Sequence, residues 1–252
     1  MSNTEKTYHC PVREDSPLFG FGSDKAGYCA DFANSLAENL SQKLGKTIKT
    51  ELVKSTSQNR WNLVKDGTVH LECGPNTIAP EREQEYGIKF SQPFFVTATQ
   101  IFTRIDTTAQ SLKSGTIGII EGTINEQEIR LLYADEQINN SFGSISQGIN
   151  AVQFNEIIGF ASDSILMNTT ASVLEIDPNR YTLVTPLIGN IPLCAVYGMI
   201  LPGDEKNSQW QNTVNSWILK SDQAVEIWKT WFNEFLSDIE KVMEACQAIQ
   251  PN

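Results

Sequence analysis

The sequence predicts an α/β protein of two lobes, each a mostly parallel sheet flanked by helices, joined by two crossover strands. Three observations carry this. The first ninety residues alternate strand and helix signals over short connections, and a second alternating unit begins near residue 112. Two long extended apolar runs, "PFFVTATQIFTR" and "PLCAVYGMILP", stand between and after these units, where crossover strands would run. The resulting division places residues 1–103 and 195–252 in one discontinuous lobe and 104–194 in the other.

Taken in order, residues 30–44, "ADFANSLAENLSQKL", set Phe32, Ala33, Leu36, Ala37, Leu40 and Leu44 at helical spacing, and Gly45 follows as a stop. "TIKTELVK" alternates as a strand through Ile48 and Leu52, "NRWNLVKDG" reads as a short helix ended by Gly67, and "TVHLEC" reads as the next strand. Sheets of this kind bind ligands at the carboxyl ends of their strands, which is where "TSQNR" and "CGPNT" fall. In the second unit "TIGII" is a strand, "EGTINEQEIRLLYA" turns into a helix, "IIGFASD" is a strand with a helix after it, and "RYTLVT" is a strand. The tail from "SQWQ" onward holds two or more amphipathic helices whose Trp and Leu positions read as core rather than as platforms for a stacked ligand.

Composition removes several functions. A chain of 252 residues, 40% of them hydrophobic, buries a substantial core. Its 30 acidic residues against 19 Lys plus Arg, with no basic run, repel a phosphate backbone, so nucleic acid is not an expected partner. The longest apolar runs fall well short of the roughly 20 residues that span a bilayer. Five cysteines lack C-x-x-C pairing and the histidines are only His9 and His70, so neither a metal site nor a cofactor is expected. Cys10 and Cys29 flank a Gly-rich turn, and a bridge between them stands against the alternative of five unrelated buried thiols. "GFGSDKAG" has neither dinucleotide-binding nor phosphate-loop spacing. With no G-x-S-x-G, no H-E-x-x-H and no His placed to activate a Cys, acyl transfer and metallohydrolysis lack their parts.

What remains is a set of anion-seeking groups at strand ends. Six of the nineteen cations are arginines, and Arg13, Arg60 and Arg82 each follow a strand or open a helix in the first unit. A guanidinium holds a carboxylate through two parallel hydrogen bonds, which an ammonium cannot do. "EGTIN" adds a helix N-terminus that attracts an anion. "FASD" puts Asp163 at a strand end, either facing an ammonium group or serving as a helix N-cap. Carboxylate and ammonium clamps together describe an α-amino acid.

These residues carry a resemblance. "VREDSPLFGF", "TSQNR", "ECG", "ER" before "FSQPFF", the "GT" before a helix and "FASD" follow the order of the periplasmic amino-acid-binding proteins of ABC transporters, type II, over residues 8 to 236. "SQNR" and "ECG" are similar to the glutamate/aspartate-binding branch. The resemblance implies a monomeric protein that closes on its ligand between two lobes, a membrane permease as partner, and a periplasmic location with the signal peptide absent from this chain. It implies that Arg82 and Thr77 clamp the α-carboxylate, joined by N–H groups at Thr123 and Ile124. Asp163, the Pro75 carbonyl and Thr77 would take the ammonium, and Arg13, Ser57 and Arg60 the side-chain carboxylate. Three positions depart from the pattern: Pro75 where Gly or Ser is usual, Ala79 where Thr is common, and no second-lobe histidine near Ile145 and Ser146. Asparagine, glutamine or a broader range of ligands therefore stays open, as do a sensory ligand-binding domain and, within the same fold, a dehydratase. The expected protein is not an enzyme, because no spare acid or base stands out once Asp163 is assigned to the ammonium.

Overall fold

The computed structural model describes residues 6–13, 15–21 and 26–247, so Glu14 of the "VRED" motif and positions 22–25 of the Gly-rich turn lie outside the described residues. The chain divides into two compact units, the first from the N-terminus to Phe95 with Val196–Glu234, the second Val96–Ala195 with the chain from Phe235 onward. Two boundaries differ from the sequence expectation of 1–103 with 195–252 and of 104–194. The first crossing comes at Phe95 because Val96–Arg104 is built into the second sheet, and the last helix belongs to the second unit rather than the first.

In the first unit, strand β1 (Lys6–Arg13) runs parallel to β2 (Ile48–Ser55) over its full length, with Cys10 opposite Leu52 and Arg13 opposite Ser55. Tyr8, Cys10 and Val12 repeat at the strand period and are all buried. Between the strands lies α1 (Tyr28–Leu44), which buries Cys29, Phe32, Ala33, Leu36 and Ala37 and stops where Gly45 takes the left-handed conformation at φ 60°. Leu44, expected in the apolar stripe, is exposed at that last turn. Helices α2 (Arg60–Lys65) and α3 (Pro80–Tyr86) follow. Proline at the start of α3 suits a position whose N–H has no helical partner.

The "TVHLEC" strand is reduced to two single bridges, Val12 with Cys73 and Glu72 with Ile200. Gly74 and Pro75 come directly after, and a proline has no N–H to extend a ladder. β3 (Ile88–Phe90) then pairs antiparallel with β10 (Ile200–Pro202), and between them in sequence lie β4 (Phe95–Arg104) and β9 (Cys194–Tyr197), which carry the chain between the units. An aromatic core closes this unit. Phe95 and Phe19 lie 4.8 and 5.0 Å, ring to ring, from Phe232 of α9 (Asp222–Phe232), and Trp228 donates from its indole to the Phe94 carbonyl. Trp217 of α8 (Ser208–Lys220) is buried as well, which agrees with the core reading of the tail, while Leu219 is exposed.

The second unit is built on a mixed sheet in which β4 lies antiparallel to β7 (Gly159–Asp163) and β8 (Tyr181–Val184), and β7, β5 (Ile117–Gly118) and β6 (Ile138–Asn139) continue in parallel. Ile101, Ile117, Ile119, Ile129 and Ala161 form its core with Leu112 of α4 (Ala109–Ser114). The helix expected from "EGTIN" through "LLYA" is only α5 (Ile124–Ile129), and Leu131 beyond it is exposed. α6 (Ile145–Gln153) and α7 (Ser164–Val173) pack beside β7, and α10 (Leu236–Gln247) is tied to β9 by a Cys194–Cys246 disulfide.

The second disulfide corrects the cysteine expectation: Cys29 bridges Cys73, and Cys10 is a free buried thiol. Val12 pairs with Cys73, which brings Cys73 to the carboxyl end of β1, where α1 opens with Tyr28 and Cys29. Cys10 sits two residues, roughly 7 Å, further back along the strand. There its Sγ lies against the Pro11 carbonyl, and burial pushes the thiol up to about 12.

Candidate ligand-binding site

The first unit gathers the three arginines that the sequence singled out. The loop after β2 is held by reciprocal bonds, Thr56 N–H to Asn59 Oδ1 at 2.7 Å and Asn59 N–H to Thr56 Oγ1 at 3.2 Å, and this turn sets Ser57 and Arg60. Arg13, the last residue of β1, donates from Nη2 to Ser57 Oγ at 2.8 Å. The Arg60 guanidinium lies 4.5 Å and that of Arg82 5.3 Å from the centre of the Trp61 ring, which is itself stacked on Tyr86 at 5.0 Å. A π face attracts cations and lowers the cost of holding two of them close together. Arg13, Arg60 and Arg82 are all buried.

Two further residues stand beside this group, and sequence reading assigned them no role. Glu72 is fully buried and accepts from Ser55 Oγ at 3.0 Å and from Asn76 Nδ2. Burial raises its carboxyl above the usual range, against the opposing pull of Arg13 and Arg60. Trp61 is the other, an ordinary core residue by composition that seats both guanidinium groups. Glu72 was visible within "ECG", but a single Glu beside a cysteine gives no spacing that marks it. Gly74 is fitted to the same place, since a Cβ there would come within 3.0 Å of both Arg13 Cγ and Glu72 Oε1. Pro75 is buried, and Thr77 is half-buried and bridged to Tyr197.

The second unit brings together acidic and hydroxyl groups. Asp163 ends β7, opposite Thr99 of β4. It occupies the N-cap position of α7 without making a side-chain cap bond, so capping does not account for its carboxylate. Asn125 Nδ2 donates to Thr99 Oγ1 at 2.6 Å and lies 3.4 Å from Asp163 Oδ1, and Thr99 donates in turn to Glu128 Oε2. Glu128 is raised by burial and by the Asp163 charge. Thr123 caps α5, its hydroxyl accepting from Glu126 N–H and donating to the Ile120 carbonyl, and Ile124 opens that helix half-buried. Glu128, Asn125 and Thr99 were missed in sequence reading. Their link runs through strand pairing and one helical turn, which no local motif displays. Near Ile145 and Ser146 the chain offers Ser144 as the cap of α6, its hydroxyl used by Gln147 N–H.

Two α/β units, one with buried arginines and the other with a buried aspartate, make the pattern of an amino-acid solute-binding protein. The family model for bacterial extracellular solute-binding proteins, family 3, matches residues 9–242, and the chain belongs to this family. It is similar to the glutamate/aspartate import solute-binding protein of Escherichia coli, 26% identical over 243 residues that cover 90% of this chain and 75% of that protein. The protein of the same name from Salmonella typhimurium is 29% identical with the same coverage. In structure it is similar to the arginine-, lysine-, histidine-binding protein ArtJ of Geobacillus stearothermophilus, with a TM-score of 0.71 at 19% identity, covering 90% of this chain and 96% of that one. Among the described residues no helix is long and apolar enough to cross a membrane.

Proposed function

We propose that the chain captures an acidic L-amino acid, glutamate or aspartate, outside the cytoplasm and delivers it to the permease of an ABC transporter. The observation that carries this reading is where buried charge is placed. Among the described residues the buried charged side chains are Arg13, Arg60, Glu72 and Arg82 in the first unit and Asp163 in the second. A guanidinium holds a carboxylate through two parallel hydrogen bonds and a carboxylate holds an ammonium, so buried arginines in the first unit suit a ligand's carboxylates and buried Asp163 in the second suits its ammonium. In this assignment Arg82 and Thr77 take the α-carboxylate with the N–H groups of Thr123 and Ile124. Asp163, the Pro75 carbonyl and Thr77 take the ammonium, and Arg13, Ser57 and Arg60 the side-chain carboxylate. The glutamate/aspartate names of the curated relatives support the ligand class. Two disulfides suit an oxidising compartment.

The test is calorimetry with all twenty amino acids on protein unfolded and refolded to strip any carried ligand. Glutamate or aspartate should bind at least about tenfold tighter than its amide. Equal affinity for glutamate and glutamine would overturn the acidic reading. One observation favours a second reading: Glu128, whose carboxyl burial raises and which accepts from Thr99 opposite Asp163, would supply the acid or base that sequence reading found missing and a dehydratase requires. Turnover of a carboxylated substrate, lost in Glu128→Gln, would establish it.

A further inference from the structure

The face of the second sheet turned away from Thr99 borders a space that no assigned contact uses. Side chains alternate along a strand, so Val96, Ala98, Gln100 and Phe102 of β4 lie on one face and Thr97 and Thr99 on the other. The first four line a cavity of about 710 Å³. α7 faces it with Ser164, Ile165, Asn168, Ala171 and Ser172, and α10 with Asp238, Ile239, Lys241, Val242 and Ala245, both sets at helical spacing. Each element turns one stripe to the same space, and all three belong to the second unit. Protein interiors leave few voids larger than a water molecule, whereas this volume lies among those of small-molecule pockets, about 300–1,000 Å³.

We propose that this cavity is a second binding site, for a neutral, mainly aromatic or aliphatic small molecule that carries one hydrogen-bonding head group. It is separate from the amino-acid contacts and does not depend on their assignment. Small side chains keep the space open: Ala98, Ala171, Ala245, Ser164 and Ser172 stand where a larger residue on the same element would fill it. The Cys194–Cys246 bridge fixes α10 at the end beside Ala245. One wall is aromatic, with Phe102 stacked on Tyr181 at 5.0 Å between ring centres and 11° between planes, next to the apolar Leu183, Ile165, Ile239 and Val242. Such a wall suits a flat ring or an alkyl chain. Hydrogen-bonding groups are few. Gln100 donates from Nε2 to Thr185 Oγ1 at 2.9 Å, which leaves its carbonyl oxygen to accept, and Asn168 brings a second amide. The charged side chains of the lining, Asp238 and Lys241, are exposed and pair with each other at 2.9 Å. An ion entering the cavity would therefore lose hydration without gaining a free counter-charge.

The test titrates N-phenyl-1-naphthylamine, a neutral apolar molecule that fluoresces on leaving water, into the chain after unfolding and refolding to strip any carried ligand. Binding to the wild type should saturate at one molecule per chain. Ala171→Trp puts an indole into the space from α7 and should weaken the probe at least about tenfold. Ser172→Trp should do the same from an exposed position, and it decides the matter if Ala171→Trp does not fold. The anionic relative 1-anilinonaphthalene-8-sulfonate should bind the wild type at least about tenfold more weakly than the neutral probe, because its charge is left unanswered. Saturating glutamate should leave the neutral probe bound. Absence of saturable binding to the wild type would overturn the proposal, as would unchanged affinity in the tryptophan variants. Displacement by glutamate would place the probe at the amino-acid contacts and overturn it as well, and equal affinity for the sulfonate would overturn the neutral ligand class.

Discussion

At the scale of single residues, the proposed contact set is a small number of charges taken out of water, and each has a consequence when removed. Arg82 is buried against Trp61 at the start of α3 and is assigned to the α-carboxylate that every amino acid carries. Arg82→Ala should therefore weaken all amino-acid ligands alike, by about 2–5 kcal/mol, because the ligand carboxylate is left desolvated and unpaired. An unchanged dissociation constant for even one ligand in the calorimetric panel would remove Arg82 from the site. Asp163→Asn should weaken every amino-acid ligand in the same panel, because the ligand ammonium loses its charged partner, and unchanged affinities would remove Asp163 from the site. The position of these buried charges was legible because charge at a strand end is a local signal. Arg13, Arg60, Arg82 and Asp163 each stand beside a turn or a helix start, and all four are buried. Glu72, Trp61 and Glu128 were not legible in the same way. Their roles depend on what crosses over them, Arg13 from 59 positions earlier for Glu72 and Thr99 from a neighbouring strand for Glu128.

At the scale of elements, periodicity identified most helices and strands and misjudged where several of them end. α1, β2 and β7 follow their apolar patterns, whereas "TVHLEC" and "TIGII" pair over only one or two residues because pairing depends on partners far along the chain. The cysteines show the same limit. Proximity in sequence suggested Cys10 with Cys29, and strand pairing places Cys73 at Cys29 instead. That bridge joins the first turn of α1 to the residue after Glu72 across a sequence separation of 44. Replacing both Cys29 and Cys73 by serine should cost roughly 2–5 kcal/mol. The loss is read as a lower midpoint in urea, and a midpoint equal to wild type would show that the bridge does not constrain the unfolded chain. In the second unit, Gly148 of α6 packs against Phe160 of β7 so closely that an added Cβ would fall 2.1 Å from the ring. Gly148→Ala should destabilise by about 1–3 kcal/mol through forced displacement of helix or ring, and an equally stable variant would mean that α6 is free to shift.

At the scale of the whole molecule, the alternation of strands and helices predicts two lobes, and the chain divides into two units with the first crossing after Phe95 and the last helix in the second unit. The last helix was misplaced because an amphipathic stripe shows that α10 packs but not against what. The two units differ in a way that makes their stabilities separately measurable. All five tryptophans, Trp61, Trp210, Trp217, Trp228 and Trp231, lie in the first unit, and the second has none. Indole fluorescence therefore follows the unfolding of the first unit, while far-ultraviolet circular dichroism follows both. A ligand that binds only the folded form stabilises whatever it contacts by RT ln(1 + [L]/Kd), about 2.7 kcal/mol at a hundredfold excess over Kd. If glutamate is held by Arg82 in one unit and by Asp163 in the other, both signals should move to higher temperature together, by several degrees. Asp163→Asn should keep part of the fluorescence shift, carried by the arginines, and lose the part of the dichroism shift that belongs to the second unit. If saturating glutamate moves the fluorescence transition and leaves the remaining dichroism transition where it was, the arginines bind the ligand without help from Asp163, and the ammonium assignment is wrong.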